Sequence, residues 1–404
     1  MKQQHKIVVV GLGYIGLPTA SMLATKGHQV LGVDVNPKAV DTINQGKIHI
    51  VEPDLDILVK SAVHSDNLKA SLTPEAADVF ILAVPTPFKH NDDASKTPDI
   101  SYIEAATEAI CPVLEEGNLV ILESTSPVGT TERIRDIIAD KRSDLQKIYV
   151  AHCPERVLPG HILRELVDND RIVGGVDTAS AEKARDLYKS FCNGEIVLTD
   201  SRTAELAKLV ENSYRDVNIA FANELSLVTD KLGINVWELI RLANRHPRVD
   251  ILSPGPGVGG HCIAVDPWFV ISSAPELTPL IRTAREVNDS KPEWVIRKVI
   301  AKAERFKKPV IGCLGLAFKA NIDDLRESPA LDITRKLIAS GVGEVKACEP
   351  NVHGDFNEFP LYELTEVLRD ADILLLLVDH DEFKLIDKEF LKEKVLIDTR
   401  GIWR

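Results

Sequence analysis

The stretch Gly11-Leu12-Gly13-Tyr14-Ile15-Gly16 constrains this chain more than any other. It follows directly on Ile7-Val8-Val9-Val10, a run of β-branched residues suited to a parallel strand buried on both faces. Beyond it, Leu17, Ala20, Leu23 and Ala24 recur at helical spacing up to Gly27, and a second strand over Gln29–Val33 ends on Asp34. Strand, glycine turn, helix, strand and terminal acid are the parts of a dinucleotide-binding βαβ unit. Gly11 permits the tight turn, Gly13 lets backbone N–H groups approach a pyrophosphate, and Gly16 lets the helix pack closely on the sheet. Asp34, eighteen residues past Gly16, can accept hydrogen bonds from ribose hydroxyls and repel a 2′-phosphate, so NAD is the expected cofactor rather than NADP.

More strand and helix units follow. Val79–Val84 runs into Pro85-Thr86-Pro87, a helix is expected over Tyr102–Leu114, and Leu119–Leu122 runs into Glu123-Ser124-Thr125-Ser126-Pro127. In an open α/β sheet ligands sit at the carboxyl ends of strands, which puts Thr86 and Thr125 in the cofactor crevice, although each could instead cap the helix that follows. The strand Ile148–Ala151 leads into Cys153-Pro154-Glu155-Arg156-Val157, where Glu155 is a candidate acid or base.

From Ser201 to about Leu232 the pattern is helical without a break, long enough for a spine between domains and for a subunit interface. Lys208, Asn212 and Arg215 share one face of it at i, i+4 and i+7. A helix over Val236–Ala243 leads into Asn244-Arg245-His246-Pro247-Arg248 and then into Pro254-Gly255-Pro256-Gly257-Val258-Gly259-Gly260-His261-Cys262. So many glycines and prolines exclude helix and strand; the loop presents its backbone to a ligand, and it ends on a thiol placed to act as a nucleophile. After Asp266-Pro267-Trp268 a long helix spans roughly Leu277–Phe306, and Lys307-Lys308-Pro309 reads as a linker. Strands over Val310–Leu314, Val345–Cys348, Ile373–Val378 and Val395–Ile397, with a helix over Ala330–Ile338, form a second doubly wound sheet that lacks the glycine fingerprint. Lys319 and Arg326 sit in its first post-strand loop. The fold class is therefore α/β, two Rossmann-like doubly wound parallel sheets joined by a long central helix and a helical region.

Composition narrows the partners. The 404 residues carry a formal charge of −13 and no apolar run of membrane-spanning length, which argues against nucleic-acid and membrane partners and for a cytoplasmic protein. An anionic substrate then needs a local cluster of cations. The six cysteines are scattered, with no zinc-like spacing, so free thiols are expected and no metal site.

In order along nearly the whole chain, GLGYIGLP (11–18), VPTP (84–87), ESTSPVGT (123–130), CPER (153–156), KLVENS (208–213), PGPGVGGHC (254–262), DPW (266–268) and GLAFKANIDDLRESP (315–329) resemble the UDP-sugar 6-dehydrogenases. That family oxidises the C6 hydroxymethyl of a nucleotide sugar to a carboxylate with two NAD. Residues 212–216 and 244–249 look like the branch acting on UDP-N-acetylhexosamines, which implies UDP-N-acetyl-D-mannosamine as substrate, with the gluco and galacto epimers and UDP-glucose left open. The resemblance implies an NAD-binding domain at 1–198, a central helical and dimerising domain with the cysteine loop at 199–308, and a UDP-sugar-binding domain at 309–404. It implies a homodimer, and a product used for bacterial surface polysaccharide of the enterobacterial common antigen type.

By the same resemblance Cys262 forms a thiohemiacetal and then a thioester, Lys208 handles the proton at the C6 oxygen, Asn212 steadies the oxyanion, and Asp266 and Glu155 serve proton transfer and hydrolysis. Substrate positions fall on Arg156, Val157, Lys208, Asn212, Arg215, His246, Arg248, Gly259 and Lys319. Cofactor positions fall on Gly11, Gly13, Tyr14, Ile15, Gly16, Asp34, Thr86, Thr125 and Arg326.

Overall fold

The computed structural model describes residues 4–50, 52–89, 96–157, 160–260, 262–352 and 356–403. Two compact units are formed, one from residues 1–210 and 268–273, the other from 211–267 and 274–404.

The first unit is built on an eight-stranded sheet: β1 (Lys6–Val10), β2 (Gln29–Val33), β3 (Leu68–Ser71), β4 (Val79–Leu82), β5 (Leu119–Leu122), β6 (Tyr149–His152), β7 (Arg171–Gly175) and β8 (Ile196–Asp200). Their order is β3-β2-β1-β4-β5-β6-β7-β8. Helices α1 (Gly16–Thr25), α2 (Pro37–Asn44), α3 (Leu55–His64), α4 (Ser101–Ile110), α5 (Thr130–Lys141), α6 (Ile162–Asp168) and α7 (Thr178–Tyr188) cover it. Strand alternation explains why β1 reads as continuously apolar: Ile7 and Val9 enter the core on one face with Leu17 and Leu23, while Val8 and Val10 enter the other with Ile103 and Ile134. β1 lies between β2 and β4, so the chain reverses its direction of travel across the sheet there, and the crevice above that point is where a ligand fits. The sheet is parallel, as expected, at every pair but one. β7 pairs antiparallel with β6 through Ala151 and Gly175, and β8 then pairs parallel with β7.

α8 (Ser201–Leu232) starts in the first unit and continues into the second, followed by α9 (Val236–Ala243), α10 (Asp266–Ser273) and α11 (Pro279–Ala303). The second sheet contains β9 (Val310–Leu314), β10 (Glu344–Cys348), β11 (Ile373–Leu376) and β12 (Val395–Asp398), all parallel, in the order β10-β9-β11-β12. α12 (Pro329–Ser340), α13 (Leu364–Asp370), α14 (Asp381–Lys384) and α15 (Lys388–Leu391) connect these strands. α11 is not a free connector: Val295, Ile296 and Val299 share a core with Ile311, Cys313 and Ile373. Among the described residues no helix is long and apolar enough to cross a membrane.

Candidate functional site

The glycine turn of the first unit is shaped by close approach. Gly11 has φ +90°, and a Cβ there would meet the Ala83 carbonyl oxygen at 2.5 Å; a Cβ on Gly16 would lie 1.8 Å from the Gly11 carbonyl oxygen. Around Gly13 the space is open to 4 Å. Tyr14 is exposed and Ile15 half-buried beside it. α1 begins without a side-chain cap and without an acidic residue in its first turn, so no side chain offsets its positive dipole end, which can face an anion. Asp34 takes a hydrogen bond from Leu12 N at 2.9 Å on one oxygen and from Asn36 N at 2.9 Å on the other, which fixes the carboxylate at the β2 end with acceptor capacity to spare.

The post-strand loops carrying Thr86 and Thr125 are tied together rather than serving as helix caps. Thr86 donates its hydroxyl to the Thr125 carbonyl oxygen at 2.7 Å, and Ser124 donates to that of Val84 at 2.7 Å. Glu205, buried at the start of α8, anchors the end of the second loop by accepting from Gly129 N at 2.6 Å and Thr131 N at 2.7 Å. Ser126 Oγ, buried in that loop, has no partner among the described residues. An open glycine turn, an uncapped helix start, a strand-end acid and an orphaned hydroxyl fit a dinucleotide at this crevice.

Glu155 is not an exposed loop charge. It is buried and pairs with the buried Arg171, whose Nη1 lies 3.1 Å from its Oε2, while its other oxygen accepts from Arg156 N at 2.8 Å. Arg171 stacks over the rings of Tyr188 and Phe191. Tyr188 in turn donates to Glu123 at 2.6 Å, and burial, reinforced by the charge of Glu155, pushes the Glu123 carboxyl up to about 7. Arg156 donates from Nη2 to the Asp170 carbonyl, and Val157 packs against the core. Lys208 is half-buried on α8.

In the second unit three of the singled-out residues converge. Asp266, buried at the start of α10, donates its amide to the Cys262 carbonyl oxygen at 2.8 Å and accepts from Asn212 Nδ2 at 2.5 Å. Cys262 is a half-buried thiol. The loop leading to it is fastened by a buried polar chain: Gly255 N donates to Asn223 Oδ1 at 2.9 Å, and Asn223 Nδ2 to Asn288 Oδ1 at 2.8 Å. Asn288 Nδ2 then donates to Asp216 Oδ1 at 2.8 Å, which also receives Arg285 at 2.6 Å. All four side chains are buried, so each depends on the others for its polar satisfaction. His261 lies outside the described residues. Arg215, His246 and Arg248 are exposed. The turn bearing the last two is closed by Asn244, which donates to Ile251 O at 3.0 Å and accepts from Ile251 N at 2.8 Å.

The second sheet repeats the plan of the first. Gly315 has φ +89° where Gly11 has +90°. Leu316 N donates to Glu349 at 2.6 Å as Leu12 N does to Asp34. Lys319 and Arg326 are exposed on the loop after β9, where Arg326 forms a two-point ion pair with Asp324 at 2.6 and 2.9 Å. A small cleft at this end is lined by Gly257, Phe318, Lys319, Asp379 and Arg400. Arg400 pairs with Asp379 at 2.7 Å, and a Cβ on Gly255 would meet its guanidinium at 2.7 Å. Gly259 is equally cramped, since a Cβ there would meet the Glu327 carbonyl oxygen at 2.3 Å.

Within the first unit the structure thus gathers Gly11, Gly13, Tyr14, Ile15, Gly16, Asp34, Thr86 and Thr125 at strand ends. In the second it joins Asn212, Cys262 and Asp266, with Gly259 packed beside the loop that bears Arg326. Glu123, Arg171, Glu205, Asn223, Glu349, His380 and Arg400 were missed by sequence reasoning. A strand ending on an acid was a usable signal for Glu349; the others pair across long stretches of chain and left none.

Three models of the UDP-glucose/GDP-mannose dehydrogenase family match the chain: the NAD binding domain over residues 5–192, the central domain over 202–290 and the UDP binding domain over 312–404. The chain is 58% identical over 409 residues to the NDP-N-acetyl-D-galactosaminuronic acid dehydrogenase of Ralstonia nicotianae, covering 98% of this chain and 96% of that one. It is 53% identical over 419 residues to the UDP-N-acetyl-D-mannosamine dehydrogenase of Escherichia coli, covering 98% and 99%. Among solved structures, the UDP-D-ManNAc dehydrogenase of Pyrococcus horikoshii superimposes with a TM-score of 0.90 at 41% identity over 99% of this chain and 96% of that one. A UDP-N-acetyl-mannosamine dehydrogenase of Staphylococcus aureus does so with 0.88 at 45% identity, covering 98% and 95%.

Proposed function

The chain belongs to the UDP-glucose/GDP-mannose dehydrogenase family, an NAD-dependent UDP-sugar dehydrogenase by lineage, and from that premise we propose that it oxidises C6 of a UDP-N-acetylhexosamine, UDP-N-acetyl-D-mannosamine first among them, to the uronate. Four electrons leave the carbon, and NAD, when bound, supplies the hydride acceptor for each pair. Lys208 takes the proton of the C6 hydroxyl and returns one to the oxygen when the thiolate of Cys262 adds to the aldehyde. The sulfur makes the carbon tetrahedral, which a second hydride loss requires; Lys208 takes the hydroxyl proton back as that hydride leaves, and the resulting thioester is cleaved by water to release the carboxylate and regenerate the thiol. Asn212 supports the negative oxygen, Asp266 orients Asn212, and Glu155, steadied by Arg171, accepts a proton from the attacking water. Arg156, Arg215, His246, Arg248 and Lys319 meet the diphosphate and sugar, offsetting locally the acidity of the chain; Val157 and Gly259 shape the wall. Arg326 meets the cofactor.

The observation that carries this reading is the convergence of Asn212, Cys262 and Asp266 on one hydrogen-bonded corner. The test is the NADH yield at exhaustion of limiting sugar nucleotide: two per sugar is expected, and one would refute the four-electron route. Cys262→Ala is expected to form no acid.

A second reading keeps the chemistry and changes the epimer. It is favoured by the higher identity to the Ralstonia enzyme than to the E. coli one, 58% against 53%. Relative kcat/KM on the manno, galacto and gluco N-acetyl sugars and on UDP-glucose decides between them, because one epimeric hydroxyl can be read by a single side chain. The protein acts as a homodimer in this proposal. Val210, Tyr214, Phe221, Val228 and Leu232 form an exposed apolar stripe along α8 at roughly heptad spacing, which a second copy of the same helix would cover. The three-part division at 198/199 and 308/309, a cytoplasmic setting and use of the uronate in a bacterial surface glycan belong to the same proposal.

A further inference from the structure

Asp34 and Glu349 hold equivalent places, each at the end of the strand that follows a glycine turn and helix. Each accepts from the amide after its glycine and from the amide two residues beyond itself: Leu12 and Asn36 for Asp34, Leu316 and Asn351 for Glu349. The difference lies in what else reaches them. Glu349 also accepts from Ala317 N at 2.9 Å and pairs with His380 Nε2 at 3.1 Å. A carboxylate has about four lone-pair sites, so Glu349 retains no acceptor for a ribose diol.

His380 is fully buried and works in both directions. Its Nδ1 accepts from Asn321 N at 2.9 Å, which leaves the proton on Nε2 for Glu349. Asn321 turns the chain with φ +60°, an uncommon conformation for a residue with a Cβ, and it is held there by Asp381, whose amide it accepts at 3.0 Å and whose carboxylate it donates to at 2.9 Å. The backbone is therefore pinned at Leu316, Ala317 and Asn321, on both sides of the exposed Lys319.

We propose that His380 is a positioning residue for substrate: by bridging Glu349 to Asn321 it fixes the loop that presents Lys319 to the anionic diphosphate of the nucleotide sugar. The inference rests on the reading of Lys319 as a substrate-binding residue and adds the device that aims it. Glutamine can imitate the neutral ring, its amide oxygen accepting from Asn321 N and its NH₂ donating to Glu349.

The experiment compares full-length wild type, His380→Gln and His380→Ala by steady-state kinetics on the preferred UDP-N-acetylhexosamine and by calorimetric binding of UDP. His380→Ala is expected to raise KM and weaken UDP binding by about tenfold, the loss of a buried hydrogen-bond bridge, with kcat within about twofold of wild type. His380→Gln is expected to stay near wild type in all three. In a Lys319→Ala background, His380→Ala is expected to have no further effect on KM. An unchanged KM in His380→Ala, a glutamine variant as impaired as alanine, or full additivity with Lys319→Ala overturns the proposal. If His380→Ala does not fold, His380→Met, which fills the space of the ring and removes its hydrogen bonds to Asn321 and Glu349, must give the same KM-weighted loss, and an unchanged KM there counts against it. UDP binding reads the positioning without turnover, so a wild type inactive on every nucleotide sugar refutes the proposed function while His380 is still judged by affinity.

Discussion

Asn223→Ala removes the link on which the cysteine loop hangs. The side chain is fully buried, and its loss leaves Gly255 N–H without the acceptor it holds at 2.9 Å and Asn288 Oδ1 without the donor it holds at 2.8 Å. A buried polar group left unsatisfied costs roughly 1–3 kcal/mol, so two such groups imply a loss of about 2–6 kcal/mol for the second unit. At about 2–4 °C per kcal/mol, the thermal midpoint of that unit should fall by at least about 4 °C. The same change frees the loop at Gly255, seven residues ahead of Cys262, so the rate of acid formation should fall by about tenfold or more, as a displaced catalytic group does, while NAD affinity stays at the wild-type value. Asn223→Asp is the informative companion, since it keeps an acceptor for Gly255 but loses the donor to Asn288 and buries a charge; it should be destabilised at least as much at pH 7. Calorimetric scans of the three proteins, with turnover on limiting sugar nucleotide, give both numbers. A midpoint within about 1 °C of wild type in Asn223→Ala, together with unchanged turnover, would refute the argument that this polar chain supports the loop.

Two further outcomes follow from the second unit and from α8. Lys291 is buried against Ser226 and the Trp294 ring, and burial, with the nearby charge of Lys298, pushes its ammonium down to about 7. A lysine whose pKa is lowered from 10.5 to about 7 contributes stability that is complete above the unfolded value and lost as pH falls through about 7, an effect of up to roughly 5 kcal/mol. Lys291→Met should therefore stabilise the protein more at pH 6 than at pH 9, read by urea denaturation at both, and an equal effect at the two pH values would exclude a depressed lysine. Phe221→Lys, in the middle of the exposed apolar stripe on α8, should shift the protein from dimer to monomer in sedimentation at micromolar concentration; a dimer unchanged by it would remove α8 from the interface.

What the sequence disclosed depended on how local the cause was. The β1 turn was legible because Ile7 through Val10 need burial on both faces and Gly11 and Gly16 admit no Cβ, both conditions set within a dozen residues. α8 and α9 were legible from periodicity, with the same limits that the structure gives. The reversal of β7 was not, because Arg171–Gly175 has the apolar period of any short strand and direction is decided by the connection through α6. At the site, Asn212, Cys262 and Asp266 could be chosen as residue types, but their junction depends on packing between α8 and the start of α10. Glu155 could be chosen as a post-strand carboxylate, but its pairing in the interior with Arg171, sixteen residues away, left no local signal.

Glu205 shows how the first unit couples its longest helix to its ligand crevice. One carboxylate at the foot of α8 ties the amides of Gly129 and Thr131 and with them the end of the loop that carries Thr125. A shift in the foot of that helix would therefore tug the crevice wall through this carboxylate, with the Arg202–Glu132 pair beside it at 2.8 Å, and a lone carboxamide replacement of Glu205 would slacken the coupling without altering any group that touches a ligand.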